Sequence, residues 1–287
     1  MDSMVSAGWL LDEMRRPDSR SDLRVVDATM FLPYHRRDAR AEYLEAHIPG
    51  AVFLDHEQAS EPGSALPHTL PSARHFAAVA AALGIGADSR IVVYDNSPVH
   101  SAPRGWWLFR LFGARRVAVL DGGLAAWKAA GGPLASGAPE QAPDITGRRF
   151  EAVADLTSVR SFADMLENLR HQKAQVADAR PAGRFAGSDP EPRPGMRSGH
   201  IPGSKNLPAA NLYAADGRLK DEAGLRAAFA EAGIDPFQPF IATCGSGVAA
   251  ACLVHAATML GASNAALYDG SWSEWGGRKD TPVATAI

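Results

Sequence analysis

Cysteine is scarce in this chain, with only Cys244 and Cys252 among 287 residues. A disulfide framework needs more, and no Cys/His cluster has the spacing of a zinc site. Long apolar stretches are missing too. The longest, Val248–Leu260, runs 13 residues and contains His255, too short to span a bilayer. Charge of one sign is also absent: the formal net charge is −3, which gives no basic field for nucleic acid or an anionic membrane. Near the N-terminus, Asp2, Asp12 and Glu13 flank a short apolar stretch broken by Ser6 and Gly8, unlike a secretory signal. A reducing, cytoplasmic setting is therefore expected. What is present is the composition of a globular protein, with 46% hydrophobic and 21% charged residues.

The chain repeats itself at a period near 150 residues. Val25-Val26-Asp27-Ala28 returns as Val176-Ala177-Asp178-Ala179, and His47-Ile48-Pro49-Gly50 as His200-Ile201-Pro202-Gly203. Leu120-Asp121-Gly122-Gly123, followed by Trp127, returns as Tyr268-Asp269-Gly270-Ser271 with Trp275. The offsets are 151, 153 and 148, in order, which indicates two copies of one domain rather than a solenoid. A Gly/Pro/Ala-rich stretch between them reads as a linker. The expected organisation is a first domain over 1–135, a linker over 136–155 and a second domain over 156–287. Strands are expected at Leu23–Val26, Ile91–Tyr94 and Val117–Leu120, and again at Gln175–Ala177, Phe240–Thr243 and Ala265–Tyr268. Helices are expected at Ala73–Leu83, Trp106–Phe112, Leu225–Ala232 and Val248–Leu260. Such alternation predicts an α/β fold, each copy a mainly parallel sheet with helices on both faces.

One strand runs directly into a reactive-looking turn. Phe240-Ile241-Ala242-Thr243 leads into Cys244-Gly245-Ser246-Gly247, and a helix is expected from Val248. Glycines beside a serine allow a tight turn with its N–H groups pointing inward, and the helix adds its positive end. That setting favours an anion at the Cys244 sulfur, whether a thiolate or a persulfide. A buried structural cysteine is the plain alternative. Cys252, in the middle of an expected helix among small apolar residues, reads as core. The repeat places Asp95 opposite Cys244, and a carboxylate cannot carry sulfur. One copy is thus expected to be active and the other not.

These residues resemble the rhodanese family, and its two-domain sulfurtransferase members in particular, over about Trp9 to Pro282. Further matches are Gly183-Arg184-Phe185, Glu191-Pro192-Arg193 and Tyr268-Asp269-Gly270-Ser271-Trp272. The resemblance implies two tandem rhodanese-like domains, the first inactive and the second catalytic. It implies transfer of sulfur from 3-mercaptopyruvate through a Cys244 persulfide to a thiol such as thioredoxin, or to cyanide, with no cofactor and no metal. Gly245 and Ser246 stand where the thiosulfate-using branch has basic residues, so the loop is more similar to the mercaptopyruvate branch. The implied donor site comprises Arg184, Arg193, Gly245, Ser246, Gly247, Val248 and Ala249. Ala249 departs from the family pattern, which has Thr or Ser there. A Ser/His/Asp arrangement discussed for the family corresponds by position to Ser246 with His47 and Asp38, although a structural role for His47 fits its presence in both copies. Rival readings are a thiosulfate sulfurtransferase, a non-catalytic sulfur carrier or scaffold, and a phosphatase. The last requires Cys-x5-Arg, and Ala250 occupies the arginine position.

Overall fold

The computed structural model describes residues 2–16, 22–138 and 149–285. The chain forms two compact units: residues 1–62, 71–154 and 215–219 make the first, and residues 63–70, 155–214 and 220–287 the second. The expected boundaries thus miss two short exchanges, because residues 63–70 pack with the second unit and residues 215–219 with the first. Part of the expected linker, residues 139–148, lies outside the described residues. The chain before and after it stays with the first unit, where Ala135 pairs with His47 and Arg149 with Gly86.

In the first unit the order is β1 (Met4–Val5), α1 (Ala7–Arg15), β2 (Leu23–Asp27), α2 (Ala39–Glu45), β3 (Val52–Phe53), α3 (Ala73–Ala82), β4 (Arg90–Tyr94), α4 (Ala102–Leu111), β5 (Val117–Leu120) and α5 (Gly123–Ala129). The second repeats it as β6 (Val159–Arg160), α6 (Phe162–His171), β7 (Gln175–Asp178), α7 (Ala182–Ala186), β8 (Lys205–Asn206), α8 (Glu222–Glu231), β9 (Phe240–Thr243), α9 (Ala250–Met259), β10 (Ala265–Tyr268) and α10 (Ser271–Trp275). Both sheets are five-stranded and their described pairings are parallel, ordered β1-β5-β4-β2-β3 and β6-β10-β9-β7-β8. Every residue of β2, β5 and β9 is buried, because a parallel sheet is covered on both faces, which favours apolar runs such as Val117–Leu120.

Helix starts follow local chemistry. Ser6, Ser72 and Asp221 each cap a helix by accepting a backbone N–H in its first turn. At Ser161, a reciprocal pairing with Asp164 does the same for α6. Helix α4 starts four residues before its expected position, at Ala102. Pro103 suits a first helical turn, and Gly105 is required for close packing, since a Cβ there would meet Val93, Ala28 and Leu54 at 3.0–3.2 Å. Trp106, Trp107 and Trp127 are buried in the first unit.

The two histidines of the His-Ile-Pro-Gly motif have matching structural places. His47 Nδ1 is 2.7 Å from the Tyr43 carbonyl, and the rings stack at 4.3 Å. His200 Nδ1 is 2.8 Å from the Phe185 carbonyl, and the rings stack at 3.8 Å. Each also pairs through its backbone with a later segment, His47 with Ala135 and His200 with Ala284. The tryptophans closing the repeats match as well, Trp127 donating to the Pro133 carbonyl and Trp275 to that of Pro282.

In the first unit, the turn after β4 fills itself. Asp95 Oδ2 accepts the Ala102 N–H at 2.6 Å, and Oδ1 accepts that of Ser97 at 3.4 Å. The Asp95 carbonyl in turn takes the Leu124 N–H. Gly123 makes this approach possible: it has φ +55°, and a Cβ would sit 2.3 Å from the Asp95 carbonyl oxygen. Gly123→Ala should therefore destabilise the protein by about 2–4 kcal/mol in chemical denaturation, from backbone clash and left-handed strain together.

Burial pushes the Asp95 carboxyl up to about 6 from 3.8, despite the opposing N–H donors. A carboxyl with a raised folded-state pKa stabilises fully below 3.8, and that contribution is lost as pH rises through about 6. Between pH 4 and 7 the wild type should lose up to about 3 kcal/mol relative to Asp95→Asn. Paired urea titrations across pH check this; a pH-independent difference would contradict it.

Candidate active site

Strand register fixes the alignment of the two turns. Asp27 pairs with Tyr94 on neighbouring strands, and Asp178 pairs with Thr243 in the same way. Cys244 in the second unit therefore stands where Asp95 stands in the first. Helix α9 begins at Ala250, two residues later than expected, so the turn spans Cys244 to Ala249.

That turn is gripped from outside and open within. The Cys244 carbonyl accepts the Trp272 N–H at 2.9 Å, and the Gly245 carbonyl accepts that of Ser273, also at 2.9 Å. Ser273 Oγ donates a second bond to the Gly245 carbonyl at 2.6 Å. The Cys244 N–H goes to Ser271 Oγ at 3.3 Å. By contrast, the N–H groups of Gly245, Ser246, Gly247, Val248 and Ala249 donate to no acceptor among the described residues. The first unit supplies its own anion to the corresponding turn, and here the aspartate is replaced by a cysteine. A run of unpaired amides entering the N-terminus of α9 is a site for an anion. Cys244 itself is only 3% exposed, so the turn shelters the sulfur. Cys252 is fully buried within α9, with no such turn beside it.

Arginines flank the turn. Arg184, on α7, places Nη2 3.2 Å from where a Cβ of Gly245 would stand, so glycine leaves room for the guanidinium. Arg184 also pairs with Glu191 at 2.5 Å, and Glu191 pairs with Arg180 at 2.8 Å. Arg180 is buried, held by Asp178 at 2.7 Å and packed over the Trp272 ring at 4.4 Å. Burial opposes its charge, but the neighbouring carboxylates prevail and hold its pKa above the usual value. This chain of charges fixes Glu191, and Glu191 aims Arg184. Arg184 Nη1 donates to no acceptor among the described residues and is available for an incoming carboxylate. Arg193 reaches the turn through Ser273 Oγ, at 3.4 Å.

Ser246 Oγ lies 2.8 Å from Nδ1 of His68, which belongs to the segment packed in the second unit. His68 is buried and has φ +57°, a strained conformation for a non-glycine residue. The Leu70 N–H, two residues on, donates to Asp269 at 2.7 Å and anchors the segment. The histidine that meets Ser246 is His68, whereas His47 and Asp38, the expected partners, make the contacts of their own unit. His47 is stacked in its motif, and Asp38 caps α2 by accepting the N–H groups of Arg40 and Ala41. His68, Ser271 and Ser273 were not anticipated as site residues. The Pro67-His68 turn sits outside the repeat pattern, so only a search for unmatched histidines would have raised it.

Comparison with known proteins agrees with this architecture. The family model described as "Rhodanese-like domain" matches residues 6–130 and 160–278. The chain is 42% identical to human 3-mercaptopyruvate sulfurtransferase over 275 residues, covering 95% of this chain and 91% of that protein. It is also 42% identical over 276 residues to a thiosulfate sulfurtransferase of Cricetulus griseus, covering 95% and 91%. Among solved structures, SseA from Escherichia coli, described with the rhodanese fold of 3-mercaptopyruvate sulfotransferases, superposes with a TM-score of 0.83 at 38% identity, covering 95% of this chain and 99% of that one. A duplicated parallel sheet with a cysteine turn in one copy and an aspartate turn in the other, matched along nearly its whole length, makes this chain a member of the rhodanese family.

Proposed function

We propose that this protein is a sulfurtransferase that takes sulfur from 3-mercaptopyruvate onto Cys244 and passes it to a thiol acceptor or to cyanide. The observation that carries the reading is the turn of unpaired amides around Cys244, at the position where the first copy holds a carboxylate. The relatives named for 3-mercaptopyruvate support the donor.

The donor's carboxylate binds Arg184, whose planar fork suits it, with Arg193 adding positive charge. The Cys244 thiolate attacks the donor sulfur and the carbon–sulfur bond breaks. The electron pair leaves on pyruvate as its enolate, which takes a proton to become pyruvate. The amides of Gly245 to Ala249 stabilise the terminal persulfide anion. Ser246 donates its proton toward the leaving enolate and recovers one from His68, a role supported by their 2.8 Å contact. An acceptor thiolate, from thioredoxin or a small thiol, or cyanide, then attacks the terminal sulfur and frees Cys244, giving ping-pong kinetics. Ala249 brings no hydroxyl to the turn, so the amides carry this stabilisation. The cytoplasm, where reduced thiol acceptors abound, is the proposed setting, and the chemistry calls for no metal or cofactor.

Thiosulfate is the second reading, favoured by the 42% identity to a thiosulfate sulfurtransferase. Comparing kcat/KM for the two donors decides between them, with a preference for 3-mercaptopyruvate expected. Cys244→Ser should abolish turnover and the sulfur adduct seen by mass spectrometry, while Cys252→Ser leaves both within about twofold. An adduct persisting in Cys244→Ser would defeat the reading.

Arg184→Ala should raise KM for 3-mercaptopyruvate about 10- to 100-fold, the loss of a charge-assisted bond worth about 1.5–3 kcal/mol, with a smaller effect on kcat. Steady-state kinetics with this donor supply the check, and an unchanged KM would remove Arg184 from donor binding.

A further inference from the structure

The sequence of the repeat offers a choice that the two copies make differently. After the shared Asp-Gly pair, the first copy has Gly123, Leu124 and Ala125, and the second has Ser271, Trp272 and Ser273. The backbone grip on the preceding turn is common to both. Leu124 donates to the Asp95 carbonyl, and Trp272 donates to the Cys244 carbonyl, each at 2.9 Å. The fold therefore obtains its inter-turn bond from the backbone alone, and glycine satisfies the conformation. Gly123 has φ +55° and Ser271 has φ +48°. Glycine occupies that left-handed region freely, whereas a serine there is strained. The second copy nonetheless holds a serine in it, fully buried.

What the serine gains is visible in its bonds. Ser271 Oγ donates to the Tyr268 carbonyl at 2.8 Å, which fixes the hydroxyl and turns a lone pair toward the Cys244 N–H at 3.3 Å. Two residues on, Ser273 Oγ bonds the Gly245 carbonyl at 2.6 Å, where the first copy has the methyl of Ala125. Both hydroxyls that distinguish this segment from its inactive counterpart thus reach the peptide units flanking the reactive sulfur. Strain kept at a buried position that the fold fills elsewhere with glycine points to function.

We propose that Ser271 is a positioning residue for Cys244. Its hydroxyl takes the Cys244 amide out of the turn's inward set and fixes the cysteine backbone. The sulfur is then held against the amides of Gly245 to Ala249. Ser273 secures the next carbonyl in the same manner. The inference rests on the sulfurtransferase reading above and adds to it the device that orients its nucleophile.

The test separates this role from a merely structural one, because a positioning role makes the loss of rate far larger than any change in stability accounts for. Ser271→Gly relieves the backbone strain while removing the hydroxyl. Strain relief offsets part of the cost of leaving the Cys244 N–H and the Tyr268 carbonyl unpaired, so it should melt within about 5 °C of wild type, yet lose about 10- to 100-fold in kcat with KM for 3-mercaptopyruvate within about twofold. Ser271→Thr keeps the hydroxyl and increases the strain. It should melt lower while retaining kcat to within about threefold of wild type. Site-resolved mass spectrometry of iodoacetamide alkylation gives a readout independent of sulfur transfer. Cys244 should alkylate at least about fivefold more slowly in Ser271→Gly than in wild type. A Ser271→Gly protein with wild-type kcat, or with unchanged or faster alkylation at Cys244, overturns the inference. Absence of turnover in wild type would instead strike the sulfurtransferase reading, with the alkylation comparison still deciding the role of Ser271.

Discussion

Five consecutive backbone N–H groups, from Gly245 to Ala249, face no acceptor among the described residues at the end of a buried strand. Unpaired amides at a sheltered position are costly unless something negative completes them. The two copies meet this demand by different means. In the first, Asp95 folds its own carboxylate onto the Ser97 and Ala102 amides, which closes the turn permanently. In the second, the side chain at the same register is the thiol of Cys244, and no protein carboxylate answers the turn's amides among the described residues. The fold is shared, the electrostatic requirement is shared, and the difference in chemistry comes from which atom answers it.

The surrounding ion pairs serve geometry more than stability. Asp178, Arg180, Glu191 and Arg184 alternate in sign, so the buried part of the network is near neutral. Buried pairs of this kind recover little net free energy against their desolvation. What they deliver is direction. Arg180 cannot move without breaking its pairs to both Asp178 and Glu191, Glu191 is thereby fixed, and Arg184 is presented beside Gly245.

Much of this was legible in the sequence, for physical reasons. Strands such as Phe240–Thr243 are continuous apolar runs because both faces of a parallel sheet are covered, and such runs stand out against any background. The duplication exposed the Cys244/Asp95 contrast without any structure, since the strands on each side fix the register. Two-residue strands such as Val52–Phe53 and Lys205–Asn206 carry no periodicity and could not be read. Helix α4 was read late because Pro103 and Gly105 mimic a loop, although one suits a first turn and the other permits close packing. His47 attracted attention by standing in a motif. The histidine that meets Ser246 is in an irregular segment whose location depends on tertiary packing alone.

The segment bearing His68 belongs to an exchange between the two halves of the chain. Residues 63–70 follow the first copy's edge strand yet are built into the second unit, and residues 215–219 are built reciprocally into the first, where Leu219 donates to Asp121 as Leu70 does to Asp269. Each half thus finishes the other's architecture. A gene cut at the midpoint would encode a half with Cys244 but without His68. The copy that carries Asp95 at the cysteine's register is also the stretch of chain that lends the histidine meeting Ser246.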